Sequence, residues 1–173
     1  MKKNLILTGM MGVGKSTVGR SLSIKLNMRF VDLDQVIEKE EDMKIRKIFE
    51  LKGEDYFRSI EKKIALKKID SHNSVIALGG GAFVDPIIRK SVLKKTISFW
   101  LDADINEIKK RITSTKKRPL LNNKDNMKML IEIYKKRKNI YKLANYRIEC
   151  QKLDKPSIER KIIEIYEAQR NKS

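Results

Sequence analysis

Short apolar runs alternate along the chain with longer stretches whose apolar positions recur every three or four residues. The short runs are Leu5–Thr8 (LILT), Phe30–Leu33 (FVDL), Ser74–Leu78 (SVIAL), Thr96–Leu101 (TISFWL) and Tyr146–Cys150 (YRIEC). Their length and β-branched content predict strands, and the amphipathic segments of about 10 to 20 residues between them predict helices. Mostly apolar strands separated by helices predict an α/β fold, three layers (α/β/α) around a five-stranded parallel sheet. No repeat, low-complexity tract or Pro/Gly/Ser-rich linker divides the 173 residues, so residues 1–173 read as a single domain. A chain of that length buries a core without disulfides or metals. In parallel sheets ligands bind beyond the carboxyl ends of the strands, and the unusual residues of this chain fall at those ends.

The first such end carries GMMGVGKST, Gly9 to Thr17, which fits G-x-x-x-x-G-K-[ST] in full between a strand and an apolar-periodic helix. Glycines there let backbone N–H groups converge on phosphate oxygens, and the helix N-terminus adds partial positive charge. The motif predicts a nucleoside triphosphate site built from Gly12, Val13, Gly14, Lys15, Ser16 and Thr17. Lys15 is placed to reach the β- and γ-phosphates, and the Ser16 hydroxyl to ligate Mg²⁺.

Composition narrows the partners. Hydrophobic residues make up 40% and charged residues 36%, a globular balance. No stretch approaches the run of about 18 apolar residues that a membrane span requires. The opening lysines and apolar residues resemble a leader, but Gly9, Gly12, Gly14 and Lys15 interrupt the run, so export is not expected. Cys150 is the single cysteine, which excludes an internal disulfide and suits a reducing, cytoplasmic setting. It reads as a small buried apolar residue. His72, the single histidine, lies in a polar DSHNS turn. The net charge of +18 would suit a polyanionic partner, yet the cations are interleaved with Glu and Asp and form no basic tail. A nucleic-acid partner is therefore not expected.

The remaining strand ends bear on what accepts the phosphate. Asp32 and Asp34 stand two residues apart in VDLD, so on an extended segment they share a face beside the phosphate loop. One would hold the water shell of a metal and the other would accept a hydrogen bond from a substrate hydroxyl. Asp34 reads equally as the N-cap of the next helix. In GEDYFRSIE a helix from Glu54 pairs Arg58 with Glu61 at i, i+3, which taken alone is a solvated surface pair. Gly79, Gly80 and Gly81 end the third strand and permit close approach of a small ligand. The polar loop KKRPLLNN, Lys116 to Asn123, places Arg118 where a lid would exclude water. Arg111 lies two helical turns earlier, and both arginines read equally as surface cations. Leu130, Tyr134, Tyr141 and Ala144 form an apolar helix stripe that includes Arg137. A guanidinium on such a stripe needs an anionic partner unless it snorkels to water. The set fits a small acceptor bearing both an acid and hydroxyls.

Taken in order, GMMGVGKST, DLD, GEDYFR..E, GGG, RPLL and R...Y..A resemble the shikimate kinases, a nucleoside-monophosphate-kinase-like P-loop family. The resemblance spans nearly the whole chain. It implies ATP-dependent phosphorylation of the shikimate 3-hydroxyl, with Arg58 and Arg137 on the carboxylate and Asp34 on the ring hydroxyls as candidate base. The glycine triplet would complete the acceptor site. Lys15 and Arg118 would stabilise the transferring group, Ser16 and Asp32 would serve Mg²⁺, and Arg111 and Lys155, followed by Pro156, would contact adenine. It also implies a substrate-binding region near residues 34–61, a lid near 112–124, and a monomer. The rival readings are a gluconate or nucleotide kinase of the same fold, a nucleic-acid-binding P-loop protein, and a non-catalytic homologue.

Overall fold

A computed structural model gives the fold, describing residues 2–113 and 124–170. All five expected strands form, with ends shifted by at most one residue: β1 (Leu5–Thr8), β2 (Arg29–Asp32), β3 (Ser74–Ala77), β4 (Ile97–Asp102) and β5 (Tyr146–Glu149). Between and after them run α1 (Lys15–Lys25), α2 (Leu33–Glu40), α3 (Ile45–Ile69), α4 (Pro86–Lys95), α5 (Ile105–Thr113), α6 (Lys124–Tyr141) and α7 (Lys155–Arg170). The sheet is wholly parallel in the order β2-β3-β1-β4-β5. The three central strands are buried along their whole length, which is why they read as continuous apolar runs.

Local chemistry sets the element ends. Strand β2 stops one residue early because Asp32 turns to cap α2, its Oδ1 accepting from the Gln35 N–H at 3.4 Å. Leu33 thereby joins the helix and is fully buried. Asp85 caps α4 through the N–H groups of Ile87 and Ile88, at 2.8 and 3.0 Å, with Pro86 at the first helical position. Helix α3 is kinked at Gly53, whose φ of 82° breaks the helical path, so a fresh segment starts at Glu54 as the sequence predicts. Helix α1 lies close on the sheet: a Cβ on Gly19 would come within 2.7 Å of the Phe30 ring.

Strands β3 and β4 flank β1: the chain steps from β1 out to β2 in one direction and later from β3 across to β4 in the other, so the strand order reverses beside β1. The crevice outside the carboxyl ends at such a point is where open α/β sheets bind ligands.

Candidate functional site

From Thr8 the chain turns through Gly9–Gly14 into α1. Gly14 is the helix N-cap and holds a left-handed conformation, φ 103°, that only glycine adopts readily. The first N–H groups of α1 therefore open toward the crevice with their partial positive charge. Lys15 is only 9% exposed, and its ammonium donates to the carbonyls of Gly9 and Met10 at 2.8 and 2.9 Å. The loop also packs tightly against β4, since a Cβ on Gly9 would stand 2.6 Å from the Leu101 carbonyl oxygen.

The two aspartates of VDLD take up separate stations. They do not share one face of an extended strand, because β2 ends at Asp32 and Asp34 lies in the first turn of α2. Nor is Asp34 the N-cap, a role that Asp32 fills. Asp32 also accepts a hydrogen bond from the Ser16 hydroxyl at 2.5 Å, joining the phosphate loop to the end of β2. Asp34 turns instead to the end of β3, where a Cβ on Gly79 would stand 2.7 Å from its Oδ1.

Glu61 reaches the same point. Its Oε1 would lie 3.0 Å from that Cβ, and its Oε2 accepts from Arg58 Nη1 at 2.7 Å. Arg58 also holds Glu54 Oε1 through Nε and Nη2, each at 3.2 Å. The side chain of Arg58 is 35% exposed and that of Glu61 only 3%, so this is no solvated surface pair. Burial pushes the Glu61 carboxyl above its ordinary range; Arg58 opposes this, and the neighbouring Asp34 adds to it. Each glycine of the triplet faces a different ionic group. Gly79 faces the two carboxylates, the Cβ position of Gly80 is 3.6 Å from Arg137 Nη1, and that of Gly81 is 2.5 Å from Arg58 Nη1. Gly80 also abuts the phosphate loop, 3.4 Å from the Met11 nitrogen on the same measure.

The raised Glu61 carboxyl carries a pH signature. The folded state holds more protons than the unfolded one between the ordinary value of 4.5 and the raised value, so stability falls as pH rises through that window. Glu61→Gln cannot ionise and escapes this loss. The melting temperature of Glu61→Gln relative to wild type is expected to climb between about pH 4 and pH 8. A pH-independent difference in thermal melts would show that the carboxyl is not perturbed by the fold.

The stripe on α6 forms for Leu130 and Tyr141, which are buried, and for Tyr134, which is partly buried; the helix ends at Tyr141, so Ala144 lies beyond it in the following turn, still packed against the core. Arg137 projects from the stripe toward Gly80, and its charge acts on the Tyr141 hydroxyl and on Glu61. A cavity of about 390 Å³ beside α1 is lined by Ser16, Thr17, Arg20, Ser21, Ile24 and Lys155. Lys155 sits 3.6 Å from Glu159, which also pairs with Lys25 at 2.6 Å. Arg118 and most of the expected lid fall outside the described residues, as does the side chain of Arg111.

Sequence reasoning missed the buried Asp102 at the end of β4. It accepts from Arg147 Nη2 at 2.7 Å and from the Tyr134 hydroxyl at 3.3 Å, tying α6 to the sheet. Burial, reinforced by Asp102, pushes the Tyr134 phenol up to about 12. An acidic residue closing an apolar strand was the available signal.

Comparison with known proteins decides the family. A model of the shikimate kinase family matches residues 11–167. The chain belongs to the shikimate kinase family. A shikimate kinase from a Sulfurihydrogenibium species is 42% identical over 150 residues, covering 87% of this chain and 89% of its own. Another, from Persephonella marina, is 43% identical over 149 residues, covering 86% and 90%. A solved Acinetobacter baumannii shikimate kinase, in complex with shikimate, superposes with a TM-score of 0.90 at 30% identity, covering 98% of this chain and 96% of that one. The protein is thus an enzyme, a kinase of P-loop fold.

For a shikimate kinase family member, the crowding at Gly79 makes a sharp test. Gly79→Ala would force the Asp34 and Glu61 carboxylates, both at the ends of short flexible chains, out of position. The fold should survive, because carboxylate tips can yield. Expected is a loss of about 100-fold in kcat/KM for the phosphoryl acceptor, with KM for ATP little changed. Steady-state kinetics on both substrates checks this, and equal losses on both would place the damage elsewhere.

Proposed function

We propose that this chain transfers the γ-phosphoryl group of ATP to the 3-hydroxyl of shikimate, giving shikimate 3-phosphate and ADP on the route to chorismate and the aromatic amino acids. The observation that carries the reading is the ionic floor, with two carboxylates and two guanidiniums set on three successive glycines against the phosphate loop. A small ring bearing one carboxylate and several hydroxyls matches that set. Arg58 and Arg137 take the acid through their planar forks. Asp34 accepts hydrogen bonds from the ring hydroxyls.

In the transfer the attacking hydroxyl oxygen bonds to the γ-phosphorus while the bond from phosphorus to the β–γ bridging oxygen breaks. Asp34 takes the hydroxyl proton, and ADP leaves with the bridging oxygen. Lys15 moves from the carbonyls of Gly9 and Met10 to the phosphate oxygens, where its charge offsets the charge that builds on them. Arg118, carried by a lid near residues 112–124, adds a second cation to the transferring group. Closure of that lid and of the region near residues 34–61 excludes water and limits idle ATP hydrolysis. Gly12, Val13, Gly14 and Thr17 cradle the phosphates, while Arg111 and Lys155 hold the adenine side.

Ser16 and Asp32 fit Mg²⁺: their oxygens lie 2.5 Å apart beside the phosphate loop. Among the described residues no group of three His, Cys, Asp or Glu could hold a metal alone. That suits a cation held chiefly by substrate phosphates and water. When bound it would neutralise charge on the β- and γ-phosphates. The working form in this reading is a cytoplasmic monomer without a nucleic-acid or membrane partner. Among the described residues no helix is long and apolar enough to cross a membrane.

Coupled ADP release with shikimate, gluconate and nucleoside monophosphates offered in turn tests the reading. Turnover with shikimate alone is expected. Activity on gluconate or a nucleotide, with none on shikimate, would overturn it. Tight, salt-resistant RNA or DNA binding without small-molecule kinase activity would move the assignment to nucleic acid.

A further inference from the structure

Tyr141 ends α6 one turn after Arg137 and is fully buried. Packing alone does not require a hydroxyl there, since phenylalanine would fill the same space beside Trp100, whose ring centroid is 6.3 Å away. Yet that hydroxyl meets groups from two separate parts of the site, with a third beside it. It donates to the Gly80 carbonyl at the end of β3. The Met10 sulfur, in the phosphate loop, lies 3.8 Å from it. Arg137, whose Nη1 stands 3.6 Å from the Cβ position of Gly80, lies near enough for its charge to act on the phenol. Burial raises the phenol further above its ordinary value of 10.0, which keeps the donor protonated at neutral pH.

We propose that Tyr141 is a positioning residue for the acceptor carboxylate. Its hydroxyl pins the Gly80 carbonyl and so sets the floor beneath the Arg137 guanidinium against the phosphate loop at Met10. The distance between the bound acid and the transferring phosphoryl group is then determined by one buried oxygen. Tyr141 acts through Arg137 and Gly80 and touches neither substrate. The identity of the acceptor rests on the shikimate reading above; the positioning role applies to whichever acid is phosphorylated.

Tyr141→Phe keeps the ring and removes the oxygen. Its expected effect is a rise of about tenfold in KM for shikimate, the scale of a buried carbonyl left without its hydrogen bond, with KM for ATP within about twofold. In an Arg137→Ala background the same change is expected to add less than about twofold, because the two residues act on the acid as a unit. An unchanged KM for shikimate in Tyr141→Phe would overturn the proposal. So would a full additional loss in the Arg137→Ala background, or equal rises in both KM values. A Tyr141→Phe chain that fails to fold would overturn it as well, since the hydroxyl would then serve the fold. If wild type ignores shikimate, the acceptor assignment fails, and the same comparison on the acid it does phosphorylate decides the role of Tyr141.

Discussion

Arg137→Ala is expected to raise KM for shikimate by about 100-fold while KM for ATP stays within about twofold. Truncating one partner of a buried, hydrogen-bonded charge pair costs about 2–5 kcal/mol, and about 1.4 kcal/mol is already a factor of ten. Two features of the site direct that loss to the acceptor. Arg137 faces Gly80 and the Glu61–Arg58 pair rather than the cavity lined by Ser16, Thr17 and Lys155. It also leaves from a helix already anchored by Leu130 and Tyr141, which are buried, and by the bond from Tyr134 to Asp102. Removing its side chain therefore leaves α6 in place. Losing the guanidinium has a second consequence: Glu61 keeps Arg58 as its counter-charge but loses the favourable field of Arg137. Steady-state kinetics varying each substrate in turn, with thermal melting alongside, checks the result. Equal losses of both affinities would point to misfolding.

Arg137 and Glu61 show how far this site is legible in the sequence. A charged residue inside a periodic apolar stripe stands out, and that criterion isolates Arg137 among Leu130, Tyr134 and Tyr141. The same criterion fits Glu61, which falls among Phe57, Ile64 and Ala65, all buried on one face of α3. It was obscured because Glu54, Asp55 and Arg58 crowd the same segment and make it read as a solvated face. VDLD is a different kind of miss. The two-residue spacing was right, but the inference assumed that the strand continued, and a capping hydrogen bond at Asp32 bends the chain into α2 first. The spacing carried no information about that competition, which is settled by which N–H group the carboxylate meets.

The fold was more legible than the site because its signals are local. Five apolar runs and the periodicity between them suffice for strands, helices and a parallel sheet, and only single residues at the ends move. The glycine triplet announces a close approach in sequence, yet not what approaches. Its partners, Asp34, Glu61, Arg58 and Arg137, come from α2, α3 and α6, and only the completed sheet brings them to one strand end. The Tyr141 hydroxyl is the extreme case: its position on the stripe predicts burial, while its acceptor at Gly80 is 61 residues away.

Lys15→Met is expected to lower kcat by about 1,000-fold, the upper scale for removing one donor aimed at developing charge. Methionine keeps most of the aliphatic length, and Lys15 is 9% exposed, so the apolar stem stays packed while the charge alone is lost. The ammonium now satisfies the Gly9 and Met10 carbonyls at 2.8 and 2.9 Å. Its removal takes a donor from two buried carbonyls, a cost to stability of about 1–3 kcal/mol that thermal melting reads separately. The effect on transfer is large because charge builds on the γ-phosphoryl oxygens where no other described side chain has been assigned. Nucleotide binding should weaken less than turnover, since the backbone N–H groups of the loop and the α1 N-terminus remain. Single-turnover ADP formation at saturating ATP and shikimate separates the two quantities. If turnover survives in a folded Lys15→Met chain that binds ATP, the charge must come from elsewhere. Arg118 is then the residue to replace next, because it is the other cation assigned to the phosphoryl group.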